Sequence, residues 1–375
     1  MSAAHLLLLG TTKGAFLLSK SEVATDWSVS GPHCDGAPIN HVIGDPVTGM
    51  IWAAGGGEWF GPHVWRSADN GTTWDKSNAG LVANEGDPDL VTLWSLGRTK
   101  TRLYAGAKPA GLYESTDNGE TWHKVQALGA NPAHKDWQPG AAGLVLHSIV
   151  SDPANDQKLW VGISAAGTHA TEDGGKTWEP RNRRSNLETV THGDHDHGDQ
   201  VGICVHNIVR ASGAGDLMYQ QNHHGAYRSP DGGRTWHSIA HGLPSTFGFP
   251  IAVHPHDPQT LWVFPLNGDS QGRFPPGAAA AVWRSRDGGD TWQELKNGLP
   301  EKDCFFTVLR QAMAVDQADV PGLYFGTNSG SVFASLDEGD TWAEIARHLP
   351  TVLSVETLQL APPQPRVKSG ATAGS

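Results

Sequence analysis

One eight-residue pattern, Ser/Thr-x-Asp-x-Gly-x-Thr-Trp, occurs six times in this 375-residue chain, at residues 67–74, 115–122, 171–178, 229–236, 285–292 and 335–342. Its aspartates, Asp69, Asp117, Asp173, Asp231, Asp287 and Asp337, stand 48, 56, 58, 56 and 50 residues apart. A period of this size marks a repeat architecture, in which each unit buries its apolar face against the next. Length alone would suggest two domains. The repeat replaces that expectation with one domain over residues 1–360.

Each part of the pattern has a physical use. A short hydroxyl and an Asp can hydrogen-bond nearby backbone N–H groups and pin a turn. The Gly supplies the positive φ that a tight turn needs. The Thr and Trp open the next strand, where β-branched and aromatic side chains fit the pleat. Six copies of one aspartate describe a scaffold, because a catalytic carboxylate would not repeat with every unit.

The pattern is the Asp-box, or bacterial neuraminidase repeat. The chain resembles the Asp-box β-propellers, which include sialidases, some glycoside hydrolases, sortilin-type receptors and photosystem assembly factors. The resemblance covers nearly the whole chain. It implies an all-β propeller whose boxes are structural, and it leaves function to the loops.

Four strand signals recur in each repeat. The second strand carries an aromatic (Trp52, Tyr104, Trp160, Tyr219, Trp262, Tyr324), and the third has an aromatic or His two residues before the box (Trp65, Tyr113, His169, Tyr227, Trp283, Phe333). Residues 5–30 read as a seventh repeat that has lost its box and its first strand. A spare first-strand signal stands at residues 352–360. Pairing of the two would close a seven-bladed ring and leave no exposed edge. Residues 361–375 are expected to be a disordered tail.

The net charge of −12 argues against a nucleic-acid partner. Three scattered cysteines, Cys34, Cys204 and Cys304, make no disulfide framework. The N-terminus lacks a basic n-region, and no apolar run approaches a membrane span. A cytoplasmic protein without a membrane partner is the expectation.

Propeller connectivity sends two sets of loops to the mouth of the central channel. These are the loops entering each first strand and the turns between second and third strands. The unusual residues fall there. Residues 192–199 alternate His and Asp, and Gln220 to His224 form the corresponding turn of the fifth blade. Inserts carry Glu58 and Trp59, Lys108, and Asp269 with Arg273. Aligned first strands put Asn40-His41, Trp94, His147, His206, Phe249, Arg310-Gln311 and Glu356 at similar depth. The placement of His41 is open by one residue, which would turn its side chain to the other face. Trp59, Trp94 and Trp137 stand outside the repeat positions and offer faces on which a sugar ring can stack.

Sialidases use an arginine triad, a Tyr nucleophile helped by a Glu, an Asp acid–base and an Arg-Ile-Pro motif. Here all five tyrosines occupy repeat positions, and no Arg-Ile-Pro stands near the N-terminus. The expectation is therefore a sialidase-like or glycosyl-hydrolase-like propeller that is not a true sialidase. It would act on a carbohydrate or other small polar or anionic substrate. Candidate catalytic residues are His147, His206, Arg310 and Glu58. Candidate substrate-binding residues are Trp59, Trp137, Lys108, Asn222, Arg273 and Gln311.

Some other seven-bladed propellers that act as sugar-acid lyases hold a divalent metal with channel histidines and a Gln. That analogy implies one divalent ion (Mn, Ca, Mg or Zn) on His147, His206 and His223, with Gln311 nearby. Imidazole also serves as an acid–base group or as a hydrogen-bonded packing group. The alternative is a non-catalytic binding or assembly-factor propeller.

Overall fold

The structure, a computed structural model, describes residues 5–20, 26–83, 85–86, 88–183 and 204–360. The expected tail at 361–375 and the His/Asp stretch at 192–199 lie outside these residues. No helix among the described residues is long and apolar enough to cross a membrane.

Seven four-stranded antiparallel sheets form the blades of a β-propeller. Blades 2 to 7 each take four consecutive strands, with inner strands Ile39–Gly44, Thr92–Arg98, Val145–Asp152, Val205–Arg210, Gly248–Val253 and Met313–Val315. Blade 1 is composite. Its inner strand is the C-terminal Val352–Gln359, which pairs antiparallel with His5–Thr11 from Leu6↔Leu358 to Gly10↔Ser354. The ring therefore closes as the sequence predicts, and the edge of the N-terminal strand is covered.

The boxes form one repeated hydrogen-bond unit. In the box at 115–122, Ser115 Oγ donates to Asp117 Oδ1 at 2.7 Å and accepts from Gly119 N at 2.9 Å. Asp117 also accepts from the Thr121 backbone N–H at 2.9 Å and from the Thr121 hydroxyl. The same contacts recur at Asp69, Asp173, Asp231, Asp287 and Asp337. Four of these carboxyls, Asp69, Asp117, Asp173 and Asp287, are held at about 2. At Asp69 the cause is the bonds from Thr73, and at Asp117 the bonds outweigh an opposing burial effect.

The tryptophans and tyrosines join the blades. Trp52 Nε1 donates to Asn118 O at 3.0 Å, Trp160 Nε1 to Gly232 O at 2.8 Å and Trp262 Nε1 to Glu338 O at 3.0 Å. Each bond runs from a second strand to the box of the following blade. The box Trp122 and Trp236 are each 1% exposed and fill the cores between sheets. Burying one such ring stabilises the fold by roughly 3 kcal/mol.

Candidate functional site

The inner strands carry the mouth residues on a shared irregularity. A β-bulge interrupts the inner ladder at Asn40, Trp94, His147, His206 and Phe249-Pro250 in blades 2 to 6. A bulge leaves one residue unpaired and re-aims its side chain. Asn40, Trp94, His147, His206 and Phe249, read at equal depth from sequence, are thus structurally equivalent; Glu356 is not, because the irregularity of the blade 1 ladder falls at Leu353. Asn40 takes the bulge in blade 2, which settles the register of His41. His41 sits one step deeper, where its Nδ1 accepts from Leu96 N at 2.9 Å and its Nε2 lies 3.2 Å from Glu356.

Residues from blades 4 to 7 gather into one cluster. His206 is 2% exposed, and its Nδ1–H donates to the Gly248 carbonyl at 2.6 Å. That bond fixes the tautomer and makes Nε2 the acceptor that faces the Cys204 thiol at 3.9 Å. Burial, then the Arg310 charge, hold this imidazole well below the usual histidine range, against the Gly248 carbonyl. His223 packs edge-on to His206 at 5.6 Å, and Phe247 and Phe249 pack against His206 at 5.2 and 4.7 Å. Burial lowers His223 as well, with Asp269 opposing. Burial also pushes the Cys204 thiol up.

Arg310 lies over the same aromatic platform, its guanidinium carbon 5.0 Å from the Phe249 centroid. Its Nε is buried without a hydrogen-bond partner, and among the described residues no carboxylate pairs with it. Burial lowers it to about 10. Arg273 approaches Phe249 at 5.7 Å, and its Nε donates to Asp269 at 2.6 Å. Asp269 is the carboxylate whose charge acts on His223, Cys204 and Arg310. The cluster therefore combines two guanidinium groups, neutral imidazoles and one carboxylate that is already engaged.

His147 borders this group from blade 4. It is 1% exposed, with Nδ1 against Ser148 Oγ at 2.9 Å and Nε2 buried without a partner. Burial first, then Arg310, hold it well below the histidine range. Gln311 Nε2 donates to the His147 carbonyl at 2.6 Å, and Asn207 Nδ2 donates to the Arg310 carbonyl at 2.7 Å. These bonds cross the channel. A polar cavity of about 560 Å³, bordered by Ser148, Asn207, Gln311, His41 and Glu356, begins at this level and continues deeper.

The other sequence candidates do not join the cluster. Glu58 and Trp59 stand on the insert of blade 2, where Trp59 is 92% exposed. Lys108 is half-buried at the end of its strand in blade 3. Trp137 packs at a tilt against His134 at 4.5 Å and His169 at 5.1 Å, and borders a separate apolar groove with Leu128 and Pro109. Asn222 is fully buried, and its Oδ1 accepts from the N–H groups of His224 and Gly225. It shapes the turn that presents His223. Sequence reading passed over Cys204 and Phe247. The spacing of Cys204 and His206 was the available signal, because alternate residues of an extended segment share a face.

Comparison with known proteins fits this architecture. The BNR/Asp-box repeat model matches residues 113–124. A xyloglucanase from Paenibacillus sp is 27% identical over 294 residues, which is 70% of this chain and 26% of that protein. The chain spans about a quarter of the length of the first curated relatives it matches. Among solved structures, the GH74 xyloglucanase from Xanthomonas campestris superposes with a TM-score of 0.62 at 18% identity, over 91% of this chain and 52% of that one. YCF48 bound to D1 peptide superposes with a TM-score of 0.54 at 15% identity, over 82% of this chain and 80% of that one. At such identities the structural likeness speaks for the fold, which enzymes and non-enzymes share. With six boxes, seven blades and a matching repeat, the chain is an Asp-box β-propeller.

Proposed function

We propose that the mouth over blades 4 to 7 is the active site of an enzyme acting on a carbohydrate that carries a negative group, of the uronic-acid kind. The observation that supports this most is Arg310, a guanidinium set on Phe249 that no carboxylate pairs with among the described residues. A cation held this way is costly unless a ligand completes it. A substrate carboxylate does so with two parallel hydrogen bonds. Phe249 and Phe247 stiffen the arginines, and the xyloglucanase relatives support a sugar as the rest of the ligand.

The chemistry follows from what surrounds Arg310. Hydrolysis through paired carboxyls needs two of them about 5–9.5 Å apart. Among the described residues the cluster offers Asp269, which is bound to Arg273. Imidazoles that are neutral at pH 7 suit proton removal next to a carboxylate instead. In that reaction His223, the half-buried imidazole, takes the proton α to the carboxylate. The C–O bond β to it breaks, a C=C bond forms, and the leaving oxygen departs with the electron pair and takes a proton from water, while His223 returns its proton to solvent. Arg310 stabilises the negative charge that grows on the carboxylate oxygens.

The test is turnover of uronic-acid oligosaccharides, followed by the ultraviolet absorbance of an unsaturated sugar acid, beside neutral xyloglucan oligosaccharides. Absorbance growth that Arg310→Ala abolishes supports the proposal. Cleavage of the neutral oligosaccharides alone, unaffected by Arg310→Ala, overturns it.

A second reading, a propeller that only binds, has its own observation. Trp59 is 92% exposed beside Phe60 at 40%, on an insert away from the cluster. Exposed aromatics of this kind anchor protein interfaces. Under that reading Trp59→Ala loses the partner, whereas Arg310→Ala keeps it.

A further inference from the structure

The mouth cluster brings together three donor atoms, of which the anionic-substrate reading uses one, on His223, and only in a chain without a bound ion. Cys204 Sγ, a ring nitrogen of His206 and a ring nitrogen of His223 all lie within 4.8 Å of one another. The geometry points to a soft-metal site: we propose that Cys204, His206 and His223 bind one zinc(II) or copper(I) ion, with a fourth position open to the mouth. Zinc bonds of about 2.0–2.3 Å in a tetrahedron set ligand atoms roughly 3.5 Å apart. The observed 3.9 Å between Cys204 Sγ and His206 Nε2 is within a small side-chain rotation of that spacing.

Three features prepare this site. The His206 Nδ1–H is committed to the Gly248 carbonyl at 2.6 Å, so Nε2 carries the lone pair and faces the sulfur. A backbone partner on the remote nitrogen is the usual way a ligating histidine is held. The backbone N–H of His223 donates to the Cys204 carbonyl at 3.0 Å, so the turn bearing one ligand is tied to the strand bearing the others. Phe247 packs edge-on against both rings, 5.2 Å from His206 and 5.1 Å from His223, and limits their rotation.

The donor set also selects the ion. Thiolate with two imidazoles suits zinc or copper(I), while magnesium, calcium and manganese prefer oxygen donors. Arg310 and Arg273 disfavour a cation here. The thiolate formed on binding and the Asp269 carboxylate offset them. His147, expected from sequence as a ligand, is not one of the three converging residues.

Tag-free reduced protein loaded with zinc(II) or copper(I) and then desalted is expected to retain about one ion per chain. Cobalt(II) loading is expected to give a thiolate-to-cobalt charge-transfer band in the near ultraviolet. Cys204→Ser removes that band and weakens zinc binding by more than about 100-fold, beyond the roughly 10- to 100-fold typical of losing a supporting residue. His206 is buried and its replacement can unfold the blade, so half-buried His223→Ala serves as the second variant, with the same expected loss of zinc. No retained ion, or a cobalt band that survives Cys204→Ser, overturns the inference. Metal retained on loading, with the metal-free chain inactive on acidic sugars, leaves this inference standing and removes the proposed activity. Turnover in a chain that holds no metal does the reverse.

Discussion

The Gln311 side-chain amide in blade 7 donates a 2.6 Å hydrogen bond to the main-chain carbonyl of His147 in blade 4, across the width of the channel. Together with the Asn207 bond to the Arg310 carbonyl, it ties the residues under the mouth to strands on opposite sides of the ring. Gln311→Leu leaves the His147 carbonyl without that donor. The expected cost is about 1–3 kcal/mol, because an unsatisfied buried acceptor loses its full desolvation term. Urea denaturation should show a lower midpoint at unchanged slope. A midpoint equal to that of the parent chain would mean that water replaces the amide at no cost.

Arg310 sets stability against function. Its Nε has no partner and no carboxylate pairs with it among the described residues, so the contact with Phe249 and the more distant charge of Asp269 only partly offset its burial. Arg310→Met fills the space without the charge. It is expected to leave the fold as stable or up to about 1 kcal/mol more stable. Affinity for an acidic sugar should fall by about 10- to 100-fold, the worth of a charged bidentate contact. Thermal unfolding and titration calorimetry on the same variant read both effects. A loss of more than 2 kcal/mol of stability would identify Arg310 as a structural residue.

The ring was legible in the sequence because the box is a local device. Ser115, Asp117, Gly119 and Thr121 bond to one another within one turn, so their spacing carries the whole signal. Closure was legible too, since Val352–Gln359 had nowhere else to pair. The mouth was legible by depth, because one bulge recurs at His147 and His206. Which mouth residues meet was not. Arg310 and Phe249 come from different blades, and Asp269 reaches Arg273 through an insert whose path has no repeat to follow. Asn222 was misleading for a related reason: a polar residue in a mouth turn reads as a ligand contact, yet its side chain is consumed by the turn.

Two groups of titrating side chains should appear in the pH dependence of stability. His147 and His206 are held neutral by burial, below their ordinary 6.5. The unfolded chain therefore takes up their protons first, and stability falls as pH drops below about 6.5. The box carboxyls Asp69, Asp117, Asp173 and Asp287 sit at about 2 against an ordinary 3.8. Their contribution is complete above the unfolded value and is lost as pH falls from about 4 to about 2. Urea midpoints from pH 8 to pH 2 should decline in these two windows. A flat profile between pH 6.5 and 5 would show that the channel imidazoles are charged or solvated in the folded chain.

Two glycines with positive φ separate strain from crowding. Gly289, in the box of blade 6, has φ of 98°, and a Cβ there would lie 2.5 Å from Ile239 Cβ. Gly36 has φ of 69° and open space around the same position. Gly36→Ala is expected to cost about 1 kcal/mol, for backbone conformation alone. Gly289→Ala should cost at least about 1–3 kcal/mol beyond that, because Ile239 is held in the packed layer between blades. Equal losses in the two variants would mean that the box turn can shift away from Ile239.

The composite blade makes the ring dependent on its C-terminal strand. Removing residues 352–375 takes away the partner of the whole strand His5–Thr11, and uncovers Leu7 and Leu9, both fully buried by this packing. The exposed edge would present unpaired backbone and leucines together, the condition that leads to edge-to-edge association. The truncated chain is expected to form oligomers by light scattering, at concentrations where the full chain is monodisperse relative to it. A synthetic peptide of residues 350–361 should bind by strand addition and suppress that association. Association that the peptide fails to suppress would show that closure must occur within one chain. A truncated chain as soluble and as stable as the parent would show that the other six blades hold the ring without it.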